Sequence, residues 1–318
     1  INFTFDIYTR RNYDLIGATN TMGIGGESTK YGNVAKMKSN GVELSLNTVN
    51  IKTKDFTWTT DFIYSHMHNE VTELNTYNRL YDYISGYGFT MPGYPQRSLF
   101  SIPFAGLNNE GLPTFYDPDG NITVTGIDMQ EYDPERLKFL KYEGPADPTD
   151  VGSLGNIFRY KNLTLNLFIT YSFGNVVRLD PVFSSEYSDL SATPKEFNNR
   201  WIKPGDEKFT NIPVIASRQQ LNNLAYLSRA YQSYNYSTAR VAKGDFIRMK
   251  EISLAYEFPK TLTQPLHLSN LSLKLQATNL FLLYADKKLN GQDPEFFNAG
   301  GVATPMPKQF TLTLKFGI

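Results

Sequence analysis

Cysteine is absent from the 318 residues, which removes a disulfide scaffold and any thiol chemistry. An excess of either charge is absent too. Basic and acidic residues number 31 each, so nothing electrostatic points to nucleic acid or to an acidic substrate. No run of about 18 apolar residues occurs, which excludes a transmembrane helix. The negative mean hydropathy leaves a membrane β-barrel open, because only alternate residues of each strand face lipid. Tryptophan is scarce, at two, whereas tyrosine and phenylalanine reach 21 and 22. Aromatics with Thr, Asn and Gly favour strands and turns over helices. No secretory leader stands at the start, and Ile1 opens on strand-like sequence. A preceding segment, removed or still attached, is therefore expected.

The stretch from Val34 to Glu73 is the most informative. Val42, Leu44 and Leu46 alternate with Glu43, Ser45 and Asn47; after the polar turn at 52–55, Phe56, Trp58, Phe62 and Tyr64 alternate with Thr57, Thr59, Asp61 and Ser65. Period-two alternation across a short polar link predicts an antiparallel hairpin with one apolar and one polar face. Leu163, Leu165, Leu167, Ile169, Tyr171 and Phe173 repeat the pattern after the tight turn Lys161-Asn162. So do Ile252 to Phe258, Leu271 to Ala277, and Phe310 to Ile318.

Ten strands are expected, at 2–14, 40–50, 56–69, 98–107, 112–116, 152–160, 163–173, 245–258, 270–284 and 308–318. The run at 98–107 is apolar on both parities. Links at 51–55, 108–111, 161–162 and 259–269 are short; those at 15–40, 69–97, 117–151, 174–244 and 285–307 are long. Short helices are expected near 194–201 and 217–233 within the longest link. A sandwich distributes long connections over both ends, whereas an outer-membrane barrel keeps short turns on the periplasmic side and long loops outside. Aromatic pairs at Phe56/Trp58, Tyr171/Phe173 and Tyr256/Phe258 fall where interfacial girdles belong. The expected fold is all-β: part of an antiparallel transmembrane barrel, with the apolar parity facing lipid.

Several long motifs then carry a family resemblance. Asn33-Val-Ala-Lys-Met-Lys-Ser-Asn-Gly-Val-Glu-Leu-Ser-Leu-Asn resembles the "NVGKxxNxGVELxLN" element of SusC/RagA-type transporters, TonB-dependent outer-membrane receptors of Bacteroidetes. Phe158-Arg-Tyr-Lys-Asn-Leu-Thr-Leu, Arg200-Trp-Ile-Lys-Pro-Gly-Asp, the segment from Ser237 to Tyr256, Ala277-Thr-Asn-Leu-Phe and Phe310-Thr-Leu-Thr-Leu add to it. The resemblance implies that residues 1–318 are the C-terminal part of a barrel of about 22 strands. It further implies that plug domain and TonB-contacting segment lie N-terminal to Ile1. Implied partners are a SusD-like surface lipoprotein acting as a lid, the plug and remaining strands, TonB through the missing N-terminal part, membrane lipid, and an oligosaccharide or peptide substrate. No cofactor is implied.

Enzyme signals are poor. His66 and His68 share one face of a strand at two-histidine metal spacing, but without a third ligand nearby they read as an incidental rim pair. Asp117-Pro-Asp-Gly-Asn lacks the later ligands of a calcium loop and reads as a plain turn. No Ser, His and acid grouping has nucleophile spacing, and the Gly23–Gly26 cluster lacks the lysine of a phosphate loop. Arg200-Trp201 with Lys203-Pro-Gly-Asp reads as a loop-folding element. The aromatic residues of the long loops are the better binding candidates, for substrate or lid: Tyr81, Tyr83, Tyr87, Phe183, Tyr187, Trp201, Tyr231 and Tyr234, together with Tyr226 and Tyr236. Two function classes stand side by side: a TonB-dependent importer barrel, and a soluble β-rich glycan-binding or adhesion module.

Overall fold

A computed structural model describes residues 1–20, 25–26, 29–74, 78–86, 88–183, 195–297 and 305–318. Eight strands form one antiparallel sheet in strict chain order. They are β1 (Asn2–Asn20), β2 (Thr29–Lys52), β3 (Phe56–Leu74), β4 (Asp150–Tyr160), β5 (Leu163–Phe173), β6 (Phe246–Glu257), β7 (Asn270–Ala285) and β8 (Gln309–Gly317). The short links β2–β3, β4–β5 and β6–β7 lie at one end of this meander. The connections 75–149, 174–245 and 286–308 lie at the other, as the barrel reading requires.

Cross-strand register aligns the alternating patterns into continuous rows. One row reads Phe3, Leu46, Phe62, Leu154, Ile169, Met249, Phe281; another reads Trp58, Phe158, Leu165, Leu254, Leu275, Leu312. Directly paired residues share a face, so these rows make one apolar surface across the wall. It is left uncovered: Phe3 is 62% exposed, Leu275 53% and Leu312 65%. A soluble module would hold this band in water; a membrane barrel turns it to lipid. The wall architecture therefore replaces the soluble alternative.

Two strand expectations are corrected. The runs at 98–107 and 112–116 are not in the wall. Ser98–Ser101 pairs with Lys141–Pro145, and Phe104–Leu107 pairs with Pro113–Tyr116, which pairs with Ile122–Thr123, in small separate sheets. All four residues of Ser98–Ser101 are buried, which is why the run is apolar on both parities. The turn at 108–111 goes with them, on the side of the long connections. Strands β1, β2 and β3 are also longer than expected, at 19, 24 and 19 residues, roughly twice the 9–11 needed to cross a bilayer. Their outer halves are polar, with Lys36–Glu73 (2.6 Å) and Lys38–Glu70 (2.9 Å) paired across β2 and β3. Register shifts at Asn12/Leu15 and Lys36/Met37 break the parity there and hide the strands from a period-two reading.

The two longest connections do not trail as loops. They fold together into a cap with its own core, drawn from 79–146 (Leu80, Ile84, Ile102, Leu112, Phe115, Ile127, Met129, Leu137) and from 176–243 (Val182, Phe183, Phe197, Ala216, Leu227, Ala230, Tyr231, Tyr234). Helix Tyr226–Asn235 forms because Leu227, Ala230, Tyr231 and Tyr234 follow the spacing that buries one helical face. Helix Arg218–Asn223 precedes it, started by a capping box between Ser217 and Gln220. The expected helix at 217–233 is thus present in two pieces, and that at 194–201 is a short 3₁₀ turn, Lys195–Asn199.

Candidate functional site

The residues between the apolar rows form the opposite, polar face of the wall. Its central row reads Asn2, Asn47, Asp61, Gly155, Phe168, Glu251, Thr278, Gln309, one residue from each strand. Glu251 on β6 gathers its neighbours: Asn166 Nδ2 donates to it at 3.2 Å from β5 and Gln276 Nε2 at 3.0 Å from β7, with Lys274 Nζ at 3.9 Å. Farther along, Asn47 donates to Asp61. With lipid on the other side, this face is the lumen surface, lined with fixed donors and acceptors suited to hydrated polar solutes.

At the mouth, the connection after β7 folds back over the polar face. Arg248 shares the parity of Thr170 on the lumen side and pairs with Asp293, with Glu295 Oε2 at 3.1 Å from its Nε. Arg248 and Asp293 side chains are nearly buried, at 7% and 10% exposure, so this ion pair ties the connection to the wall. Two adjoining cavities open beside it. One of about 580 Å³ is lined by Arg248, Asn279, Gln292, Phe296, Phe297 and Lys308; the other, of about 400 Å³, by Asp180, Lys195, Glu196, Arg240, Lys288 and Gln292. Asp180 and Gln292 border both. Arg240 is buried and fixed by Glu196 Oε1 (2.7 Å) and the Asp180 carbonyl (2.6 Å). Burial also lowers the buried Arg178 guanidinium of the cap to about 10; it donates to the carbonyls of Phe100 and Ser237.

The aromatic residues singled out in the sequence divide sharply. Phe183, Tyr231 and Tyr234 are in the cap core: Phe183 stacks on Tyr231 at 4.3 Å and meets Tyr234 edge-on at 5.6 Å. Tyr231 Oη donates to the Val214 carbonyl at 2.9 Å, and burial pushes the Tyr234 phenol up to about 12. Trp201, 8% exposed, donates from Nε1 to Glu207 Oε2 at 3.0 Å. These four rings are spent on the packing of the cap and present no open face to a ligand. Tyr81 and Tyr83 are half-buried at the margin of the core, Tyr81 edge-on to Tyr236 at 5.9 Å and Tyr83 against Phe89 at 4.7 Å. Burial pushes the Tyr236 phenol up to about 12. Tyr226 also packs against the core, while Tyr87 and Tyr187 lie outside the described residues.

His66 meets Asp150, not His68: its Nδ1 is 2.9 Å from Asp150 Oδ1, which also accepts from Tyr64 Oη at 2.6 Å. Asp117 Oδ1 accepts from the backbone of Asp119 (3.0 Å) and Asn121 (2.8 Å), the geometry of a plain Asx turn. The loop around Lys203-Pro-Gly-Asp206 is held by its own acids, Asp206 capping the N–H groups of Ile202 and Lys203. Sequence reading missed the Glu251 cluster and the Arg248 tie. The polar parity marks the face but not which residues on it meet, because register joins positions far apart in the chain.

No family model matches the chain. Over 96% of its length it is 25% identical to a TonB-dependent receptor of Formosa agariphila, covering 32% of that protein. Over 97% it is 26% identical to the TonB-dependent receptor SusC of Bacteroides thetaiotaomicron, covering 29%. The chain thus spans about a third of the length of the relatives it matches. Among solved structures, the RagAB peptide transporter superposes with a TM-score of 0.74 at 22% identity, over 99% of this chain and 33% of that one. These relatives are receptors and a transporter. Sequence likeness over nearly the whole chain and a shared fold establish the resemblance: this is part of an outer-membrane β-barrel, similar to TonB-dependent receptors such as SusC.

Proposed function

We propose that the chain supplies the C-terminal wall and part of the extracellular cap of an importer that carries polar nutrients across the outer membrane. The observation that carries this reading is the polar face that crosses all eight strands, interrupted in its central row only by Gly155 and Phe168, with apolar rows on the other side. Eight strands in an open sheet leave edges at β1 and β8, and unpaired backbone cannot face hydrocarbon. The remaining strands and the plug are therefore partners, and TonB acts through the plug-bearing part. A SusD-like lipoprotein closes the mouth from outside. Exposed Ile202 (67%) and Phe209 (88%), set on the braced loop 201–209, offer it apolar anchors. Phe183, Trp201, Tyr231 and Tyr234 serve that surface from beneath, and Tyr81 and Tyr83 lie at its margin. The cargo is an oligosaccharide or an oligopeptide, with the mouth cavities beside Arg248 as its first station.

Uptake measurements test this. Labelled oligosaccharides and oligopeptides are offered to cells whose receptor carries Glu251→Leu with Gln276→Leu. Uptake of one class is expected to fall severalfold while the amount of assembled receptor in the outer membrane stays unchanged. Normal uptake of both classes by an assembled double variant overturns the reading.

A further inference from the structure

One patch of the lipid-facing surface breaks the apolar rule. Next to the Trp58–Phe158 row, the lipid-facing row reads Thr48, Thr60, Asn156, Leu167, Ile252, Ala277, Phe310. Its first three members are polar, and a register irregularity between Val49 and Ile51 sets Asn50 beside them. The four polar side chains and Trp58 form one directed hydrogen-bond chain. Thr48 Oγ1 donates to Asn50 Oδ1 (2.7 Å), Asn50 Nδ2 to Thr60 Oγ1 (2.6 Å), and Thr60 Oγ1 to Asn156 Oδ1 (2.8 Å). Trp58 Nε1 donates to the same Asn156 Oδ1 at 2.9 Å.

The indole settles the orientation of that amide. Its N–H can only donate, so the Asn156 atom facing it is the oxygen, and the Nδ2 group is turned the other way. Both Asn156 amide hydrogens are without an acceptor among the described residues. Two unspent donors on a hydrocarbon-facing wall are costly unless something from the membrane accepts from them.

The surroundings say what that is. Trp58 stacks on Phe158 at 5.6 Å and 22°, a flat apolar platform beside the seam. At the periplasmic turn below it, the Lys161 ammonium rests over the Tyr160 ring, 5.5 Å from its centre, and Tyr160 is exposed. Asn156 lies four residues up β4 from Tyr160, roughly 10 Å along the membrane normal for a strand tilted about 40°. The polar layer between phosphate and hydrocarbon is roughly 5–8 Å thick in each leaflet. A cation at phosphate level, amide donors at the top of the hydrocarbon and an aromatic plane between them match one molecule.

We propose that this seam is a binding site for a phospholipid of the periplasmic leaflet, its phosphate on Lys161 and an acyl-ester carbonyl on the Asn156 amide, with an acyl chain along Trp58 and Phe158. The site is independent of substrate and lid. It gives the wall a fixed boundary lipid at the aromatic girdle.

Native mass spectrometry of the assembled barrel, purified from outer membranes and titrated with phosphatidylglycerol in detergent, tests the proposal. Wild type is expected to retain one phospholipid adduct at concentrations where Asn156→Leu and Lys161→Gln each need about tenfold more lipid. Heat-modifiable mobility checks that each variant is assembled; Lys161, in an exposed turn, leaves folding intact even if the Asn156 variant does not assemble. The proposal is overturned if wild type keeps no adduct or if the variants titrate like wild type. A changed oligomeric state in Asn156→Leu with an unchanged lipid titration also overturns it, since a protein neighbour would then cover the seam.

Discussion

The indole of Trp201 lies directly over Gly111: a Cβ at position 111 would overlap its Cδ2 and Cε3 atoms. Gly111 also sits at φ +76°, and its carbonyl accepts from Val214 N at 3.0 Å. One glycine thereby joins the turn at 108–111, in the first long connection, to the Trp201 loop of the second. Gly111→Ala meets both the steric overlap and the backbone strain and is expected to destabilise the cap by about 2–4 kcal/mol. Gly111→Asn tolerates the φ but not the overlap, and should be nearly as damaging. Protease resistance of the cap on whole cells reads the effect; equal resistance of wild type and both variants would show that this contact is dispensable.

Glu207 makes the Trp201 loop sensitive to acid. Its carboxyl is held below the usual range, first by its own backbone N–H and then by the Trp201 indole, with the Gly205 N–H also donating at 2.8 Å. A depressed carboxylate contributes stability above its unfolded pKa and loses it as pH falls through the folded value. Loop 201–209 should therefore loosen as pH drops through the carboxylate range. Trp58 and Trp201 are the two tryptophans of the chain, so Trp58→Phe isolates the Trp201 fluorescence. Its acid transition should disappear in Glu207→Gln; a transition that survives there would assign the effect to another group.

The facing of β5 predicts an asymmetry between neighbours. Leu167 stands in the lipid-facing row beside Ile252, whereas Asn166 faces the lumen within reach of Glu251. Arginine at Leu167, which pairs with Asn156 toward the periplasmic edge of the hydrocarbon, should cost roughly 1–2 kcal/mol, between the midplane and interface values. Arginine at Asn166 should be mild, since Glu251 is there to pair with it. Equal loss of assembled barrel in the two variants would reverse the assignment of the faces.

Replacing 180–236 with a short Gly/Ser linker should leave the wall assembled, because Val176–Arg178 still pairs with Val241–Lys243 and β5 with β6. The cap should not survive. Leu80, Ile84, Ile102, Leu112 and Phe115 lose the residues they pack against and become exposed. Segment 79–146 is then expected to be cut by external protease, and lid retention to fall with it. A linker variant whose 79–146 segment stays resistant would mean that each connection folds by itself.

Alternation located the eight wall strands among the ten expected, their apolar face, and the sides on which all the connections but the turn at 108–111 fall. In a barrel wall each residue meets only lipid or lumen, so one-dimensional polarity carries that assignment. Even there it stopped at the bulges, which shift parity and concealed the outer halves of β1 and β2. The cap obeys another rule. Ser98–Ser101 is buried on both faces and the aromatic residues pack against partners from distant parts of the chain, so Tyr231 and Tyr234 look like binding groups in the sequence and are core in the fold. Likewise, Glu251 and Asn156 acquire their roles from register, which sets Asn166 and Trp58 beside them, and Arg248 from the fold-back of the connection that carries Asp293. Polarity along the chain decides which side of a wall a residue faces; which neighbours it meets is a three-dimensional property, fixed by pairing across distant strands.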